Sequence, residues 1–131
     1  MCLVSAALWM ICTVAAAQHP SALSEGAARG RALYHGKGAC AMCHGLDGDP
    51  ARRPPMNENT TAVISKLSPP PPDLRAPDSE RFLSEQQRRK AIRKGHPGTA
   101  MLPDPTLSDQ DISDILAYLS HLRREPVRKT R

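Results

Sequence analysis

Two cysteines and a histidine stand together in Cys40-Ala41-Met42-Cys43-His44, and no other segment limits the chain so sharply. On a helical turn, residues three apart face one way, so both sulfurs can straddle the edge of a flat group. His44 follows directly and is carried beneath that group. Cys-x-x-Cys-His is the attachment pattern for c-type haem, in which the thiols become thioethers on the vinyl groups and the histidine binds iron. Three other chemistries use cysteines at this spacing. A thioredoxin-like redox pair requires a βαβ context, and no strand-like run surrounds Cys40. A zinc site requires a second ligand pair, and no cysteine follows Cys43. A disulfide across two residues leaves His44 without a role.

The 131 residues suit one small domain. Met1 to Ala17 carry no charge and end in Ala15-Ala16-Ala17 before Gln18, which fits a secretory signal cleaved after Ala17. The segment lacks the basic residues that usually precede the apolar run, so a misplaced start codon or an uncleaved anchor stays open. Removal of residues 1–17 takes Cys2 and Cys12 away and leaves only the cysteines of the motif. That count favours haem attachment outside the cytoplasm over a disulfide framework. The remaining rings are Tyr34, Phe82 and Tyr118. So few large side chains fill an interior poorly, and a buried haem would supply the missing apolar volume.

Helices are expected at three places. Ser24 to His35 has cap candidates in Ser21 and Ser24, and Gly30 with Tyr34 puts a small residue beside a ring on one face. A second helix begins at Ser79 or Ser84, where Ser84-x-x-Gln87 forms a capping box, and runs to Lys94 before Gly95. The third follows the capping box Ser108-x-x-Asp111, with a stripe of Ile112, Ile115, Leu116, Leu119 and Leu122. Between the first two, Gly45 to Pro77 reads as loop. Its run Pro69 to Pro72 is a stiff spacer suited to wrapping a haem edge.

Haem iron takes a sixth ligand or leaves a vacancy. The thioethers of Met42, Met56 and Met101, and the imidazoles of His19, His35, His96 and His121, are the candidates. Met42 lies between the two cysteines, on the proximal side. Met101 ends a loop rich in glycine and proline, Gly95-His96-Pro97-Gly98-Thr99-Ala100-Met101, between two helices. Such a loop can be fixed against a haem face without regular backbone pairing. Met56, His96 and an open position remain as alternatives.

The order of these pieces resembles the bacterial class I, mitochondrial-type, monohaem cytochromes c. The likeness runs through Cys40 to Gly45, Pro71 to Leu74, Lys94 to Met101 and Asp114 to Leu119, and covers nearly all of Ser24 to Leu122. It implies an all-α, small cytochrome c fold with crossing N- and C-terminal helices and one covalently bound haem. It also implies that Cys40 and Cys43 anchor the haem, that His44 and Met101 are the axial iron ligands, and that Gly30 and Tyr34 pack across Tyr118. In this chain Leu102 stands between the methionine and Pro103, where the family usually has proline directly. Of Arg52, Arg53 and Arg75, the resemblance favours Arg75 for contact with a haem propionate.

The expected organisation is a signal peptide over 1–17, a leader over 18–23, a cytochrome c domain over 24–122 and a basic tail over 123–131. Formal charge is +5, with basic residues gathered at Arg88 to Lys94 and Arg123 to Arg131. Such a face steers encounter with an acidic redox partner. Export and the scarcity of stacking aromatics argue against nucleic acid. With no acid–base constellation visible, the expected function is single-electron transfer in the periplasm by a monomer, with no membrane span once the signal is removed. The alternatives are a cytochrome subunit docked permanently to a periplasmic dehydrogenase or oxidase, a haem peroxidase, and a gas sensor.

Overall fold

The computed structural model describes residues 22–76 and 84–124. Five helices follow one another: α1 (Glu25–His35), α2 (Cys40–His44), α3 (Glu58–Ser65), α4 (Glu85–Lys94) and α5 (Asp109–Arg124). Among the described residues the only β feature is an isolated bridge between Leu46 and Asp49. The expected signal peptide, the leader up to Ser21 and the basic tail beyond Arg124 lie outside the described residues, as do Ser79, Phe82 and Leu83.

Local chemistry sets the helix starts. The Ser24 hydroxyl accepts from the Ala27 amide at the head of α1. Ser84 and Gln87 cap α4 reciprocally, so Ser84 and not Ser79 begins that helix. Ser108 and Asp111 do the same for α5.

The loop expected from Gly45 to Pro77 is interrupted by α3. Asn57 caps it through the Thr60 amide, but its residues include β-branched Thr60, Thr61, Val63 and Ile64. Only Ile64 is buried. A short helix with weak propensity and almost no buried stripe carries little periodic signal, and flanking prolines mask it further.

The core is the crossing of α1 on α5. Gly30 makes it possible: a Cβ there would lie 1.9 Å from the Asp114 carbonyl oxygen, so only a hydrogen lets the two backbones meet. Beside that contact the rings of Tyr34 and Tyr118 meet edge to face, with centroids 5.6 Å apart. Ile112, Ile115, Leu116 and Leu119 are buried along the expected stripe. Asp114 is buried too, at 5% exposure, and Arg29 grips it with two nitrogens at 2.8 and 3.1 Å. No helix among the described residues is long and apolar enough to cross a membrane.

Candidate haem site

Tight turns present the Cys-x-x-Cys-His segment. Ala39 adopts a left-handed conformation immediately before α2. Gly45 ends the helix at φ +78°, where a Cβ would collide with the Asp49 carbonyl at 1.7 Å. The buried Tyr34 hydroxyl donates to the Gly45 carbonyl at 2.9 Å, which ties the motif to the α1–α5 crossing.

Cys40, Cys43 and His44 line one cavity of about 270 Å³. Met101 and Leu102 reach it from the loop after α4, while Ile115 and Leu119 form part of its wall on α5. Pro69 to Pro72 line it as well, in keeping with a spacer wrapped around a bound group. Among the other candidates considered for the sixth ligand, His96 also lines the cavity. Met42, Met56, His35 and His121 do not, and His19 lies outside the described residues.

The thiol of Cys40 is pushed up to about 11, chiefly by burial. A redox-active thiol is instead activated by a lowered value, so this environment suits a protonated thiol awaiting addition more than a thiol–disulfide catalyst. Both cysteines are free. Among the described residues no cluster of three or more His, Cys, Asp or Glu side chains is arranged to hold a metal ion.

His44 is aimed by the backbone. Its Nδ1 lies 3.3 Å from the Pro72 carbonyl oxygen. A carbonyl only accepts, so Nδ1 carries the proton and Nε2 keeps its lone pair. Burial holds the imidazole below its ordinary value, which favours that neutral, ligating form.

The methionine loop is pinned on both sides. The Met101 amide donates to the Thr99 hydroxyl at 3.1 Å, and that hydroxyl donates to the His96 carbonyl at 2.8 Å. The Met101 carbonyl in turn accepts from the His96 amide at 2.8 Å. Gly95, at φ +70°, is needed because a Cβ would stand 2.6 Å from that same carbonyl. Gly95 is expected only as a helix stop and His96 only as an alternative ligand; for Thr99 the signal is a threonine two residues before the methionine.

Arg75 is not itself in the cavity lining, although its neighbours Leu74 and Ala76 are; its guanidinium lies 2.6 Å from Asp73 and 3.0 Å from Asp49. Arg53 donates to the Cys43 carbonyl at 3.4 Å, and Arg52 is exposed. The arginines that do line the cavity are Arg88 and Arg123.

A cavity of this size is foreign to a close-packed interior, which holds few voids larger than a water molecule. Stable internal water needs two to four polar partners, and these walls are mainly proline and aliphatic. The lining therefore fits a large apolar prosthetic group with one edge at two thiols, and haem answers that description. Helices crossing over such a cavity, with a Cys-x-x-Cys-His turn on its wall, define a small all-α haem-binding electron carrier. The sequence profile of the cytochrome c family matches residues 27–123, and the chain belongs to that family. Searches of the curated proteins and of the solved structures found no match. Membership brings single-electron transport by haem c, without enzymatic catalysis.

Proposed function

We propose that this protein is a bacterial class I cytochrome c, exported to the periplasm with residues 1–17 removed, that carries one electron at a time to or from an acidic partner. Cys40 and Cys43 hold a single haem as thioethers, and His44 and Met101 are its axial ligands. The supporting observation is that these four side chains, drawn from α2 and from a loop nearly 60 residues later, line the same apolar cavity.

When bound, haem supplies the one-electron couple. The chain's own residues decide how that couple behaves. The Pro72 carbonyl holds the proton of His44 on Nδ1 and leaves the Nε2 lone pair available to iron, and Thr99 holds the backbone of Met101, so that its sulfur would not have to be ordered on each turnover. A thioether ligand raises the potential relative to a second imidazole. Proline and aliphatic walls would keep water from a group bound here, so that little solvent would reorganise when its charge changes.

Denaturing electrophoresis with haem staining tests the attachment: colour stays with the polypeptide, and extraction by acid-acetone defeats the proposal. Oxidised protein should show the weak far-red band of methionine on ferric iron, and Met101→Ala should abolish it. An N-terminus beginning at Gln18 in the periplasmic fraction checks export.

A further inference from the structure

The cavity holds a second imidazole, and the ligand set above gives it no task. His96 lines the cavity together with Met101, five residues further along the same loop. The His96 amide donates to the Met101 carbonyl at 2.8 Å, so the two residues stand side by side where the loop closes. Their side chains enter one cavity from neighbouring points of the backbone. An imidazole nitrogen and a thioether sulfur project by similar lengths from their own Cα atoms. The imidazole is therefore held beside the thioether.

Other donors at the cavity wall are committed or unsuited. The Tyr34 hydroxyl donates to the Gly45 carbonyl, and the Asp104 carboxylate accepts from the Thr106 amide and hydroxyl at 2.9 and 2.6 Å. Cys40 and Cys43 are the attachment thiols. The guanidiniums of Arg88 and Arg123 offer no lone pair. Among the described residues no lysine lines the cavity. His44 and His96 are thus the two nitrogen ligands it contains.

The loop is built so that one ligand can yield to the other. Gly98 lies at its tip with φ +77°, and a Cβ there would meet nothing within 4 Å, so the tip has open space to move into. Leu102, directly after Met101, is 77% exposed, and Ala100 before it is exposed as well. Withdrawing Met101 therefore pulls neither neighbour out of a packed interior. What opposes withdrawal is the grip of the Thr99 hydroxyl on the Met101 amide.

We propose that His96 is a reserve axial ligand, which takes the sixth position when the Met101 sulfur leaves the iron. This rests on the haem reading above, with Met101 as the resting ligand. In the exchange an iron–sulfur bond breaks and the imidazole lone pair forms an iron–nitrogen bond; no electron is transferred. Ferric protein gains most, because a thioether raises the potential relative to imidazole and so favours ferrous iron. With His96 in place the sixth position is filled again and the potential falls. Loss of the thioether then gives a low-potential carrier, with a tethered ligand that small molecules must displace.

The test compares Met101→Ala holoprotein with the double variant Met101→Ala/His96→Gln, by absorption and electron paramagnetic resonance in the ferric state. Met101→Ala should lose the far-red band yet stay low-spin, and the double variant should become high-spin. A tethered ring competes with added imidazole at its effective concentration, so the single variant should bind imidazole at least about tenfold more weakly than the double variant. Carbon monoxide binding should rise on loss of Met101 and rise further when His96 goes too. Should Met101→Ala fail to accumulate, mild denaturant gives the same readout. There the far-red band of the unsubstituted protein should fade while it stays low-spin, and His96→Gln protein should turn high-spin. A high-spin Met101→Ala protein overturns the proposal. A low-spin spectrum that survives in the double variant overturns it too, and gives the position to another group such as His19 or a lysine. Neither result touches the haem reading, which fails, and this proposal with it, if Met101→Ala keeps the far-red band or if haem stain leaves the polypeptide.

Discussion

The hydroxyl of Tyr34 donates to the carbonyl of Gly45 at 2.9 Å, and this bond joins the helix crossing to the residue next to His44. Both groups are buried, and the Gly48 amide is the carbonyl's other donor, at a longer 3.4 Å. Tyr34 also meets Tyr118 edge to face, and the Tyr118 hydroxyl donates to Asp47 at 2.5 Å. Two tyrosines from the N- and C-terminal helices thus hold the turn that carries the haem motif.

Tyr34→Phe keeps the ring and removes the donor. The Gly45 carbonyl then keeps only the long bond from the Gly48 amide, a loss of about 1 kcal/mol. Denaturant unfolding of the holoprotein should show this, with the ligand spectrum retained. An unchanged midpoint would mean that the Gly48 amide or water satisfies the carbonyl without the hydroxyl.

Gly30→Ala tests the crossing itself. Alanine improves intrinsic helix propensity by about 1 kcal/mol. Against that, its Cβ would stand 1.9 Å from the Asp114 carbonyl, a backbone atom that yields only if the helices separate. The net effect should be a loss of at least about 2 kcal/mol, with lower holoprotein yield and a lower melting temperature.

Asp114 predicts the response to acid. Hydrogen bonding by Arg29 holds its carboxyl below the ordinary value of 3.8, with Gln110 adding to the effect against the cost of burial. A carboxyl depressed in the folded state binds its proton more readily when unfolded. Its contribution is therefore complete above about pH 4–5 and is lost as pH falls through the folded value. Asp47, Asp73, Asp104 and Asp111 are depressed as well and act in the same sense. Asp114→Asn should be less stable at neutral pH and show a shallower loss between pH 5 and 3 when unfolding is followed across that range.

Much of this was legible in the sequence because the signals are local. Ser84 with Gln87 and Ser108 with Asp111 announce helix starts within four residues, and the pairing of Gly30 with Tyr34 foretells a close crossing. The α3 helix was not legible, since a short run of β-branched residues with one buried side chain has no period to read. The grip of Thr99 on Met101 depends on a loop conformation that only the folded chain displays. Nothing local in the sequence marks Asp114 as buried, yet Gly30 lets α1 so close that its carboxylate is covered and must be paired. Arg88 and Arg123 read as members of basic surface clusters. Their place on the apolar stripes was visible, but that a cavity lies against those stripes was not.

The last expectation separates an electron carrier from a haem enzyme or gas sensor. If His44 and Met101 cap both faces of the iron, peroxide and carbon monoxide have no open position to enter. The loop favours this closed state, because Thr99 and the His96 backbone fix Met101 on either side. Reduced protein at neutral pH should therefore bind carbon monoxide poorly, turn over peroxide slightly, and exchange electrons rapidly with small mediators. Thr99→Val removes the hydroxyl that the Met101 amide uses, so it should raise carbon monoxide binding and weaken the far-red band without abolishing it. Met101→Ala should go further on both counts and increase peroxide turnover. Exchange with an acidic partner should slow as salt rises, since exposed charges are screened beyond about 10 Å at 0.1 M. Tight carbon monoxide binding by the unmodified reduced protein would reverse the assignment. Salt-independent exchange would remove only the electrostatic steering, since the chemistry at the iron does not depend on it.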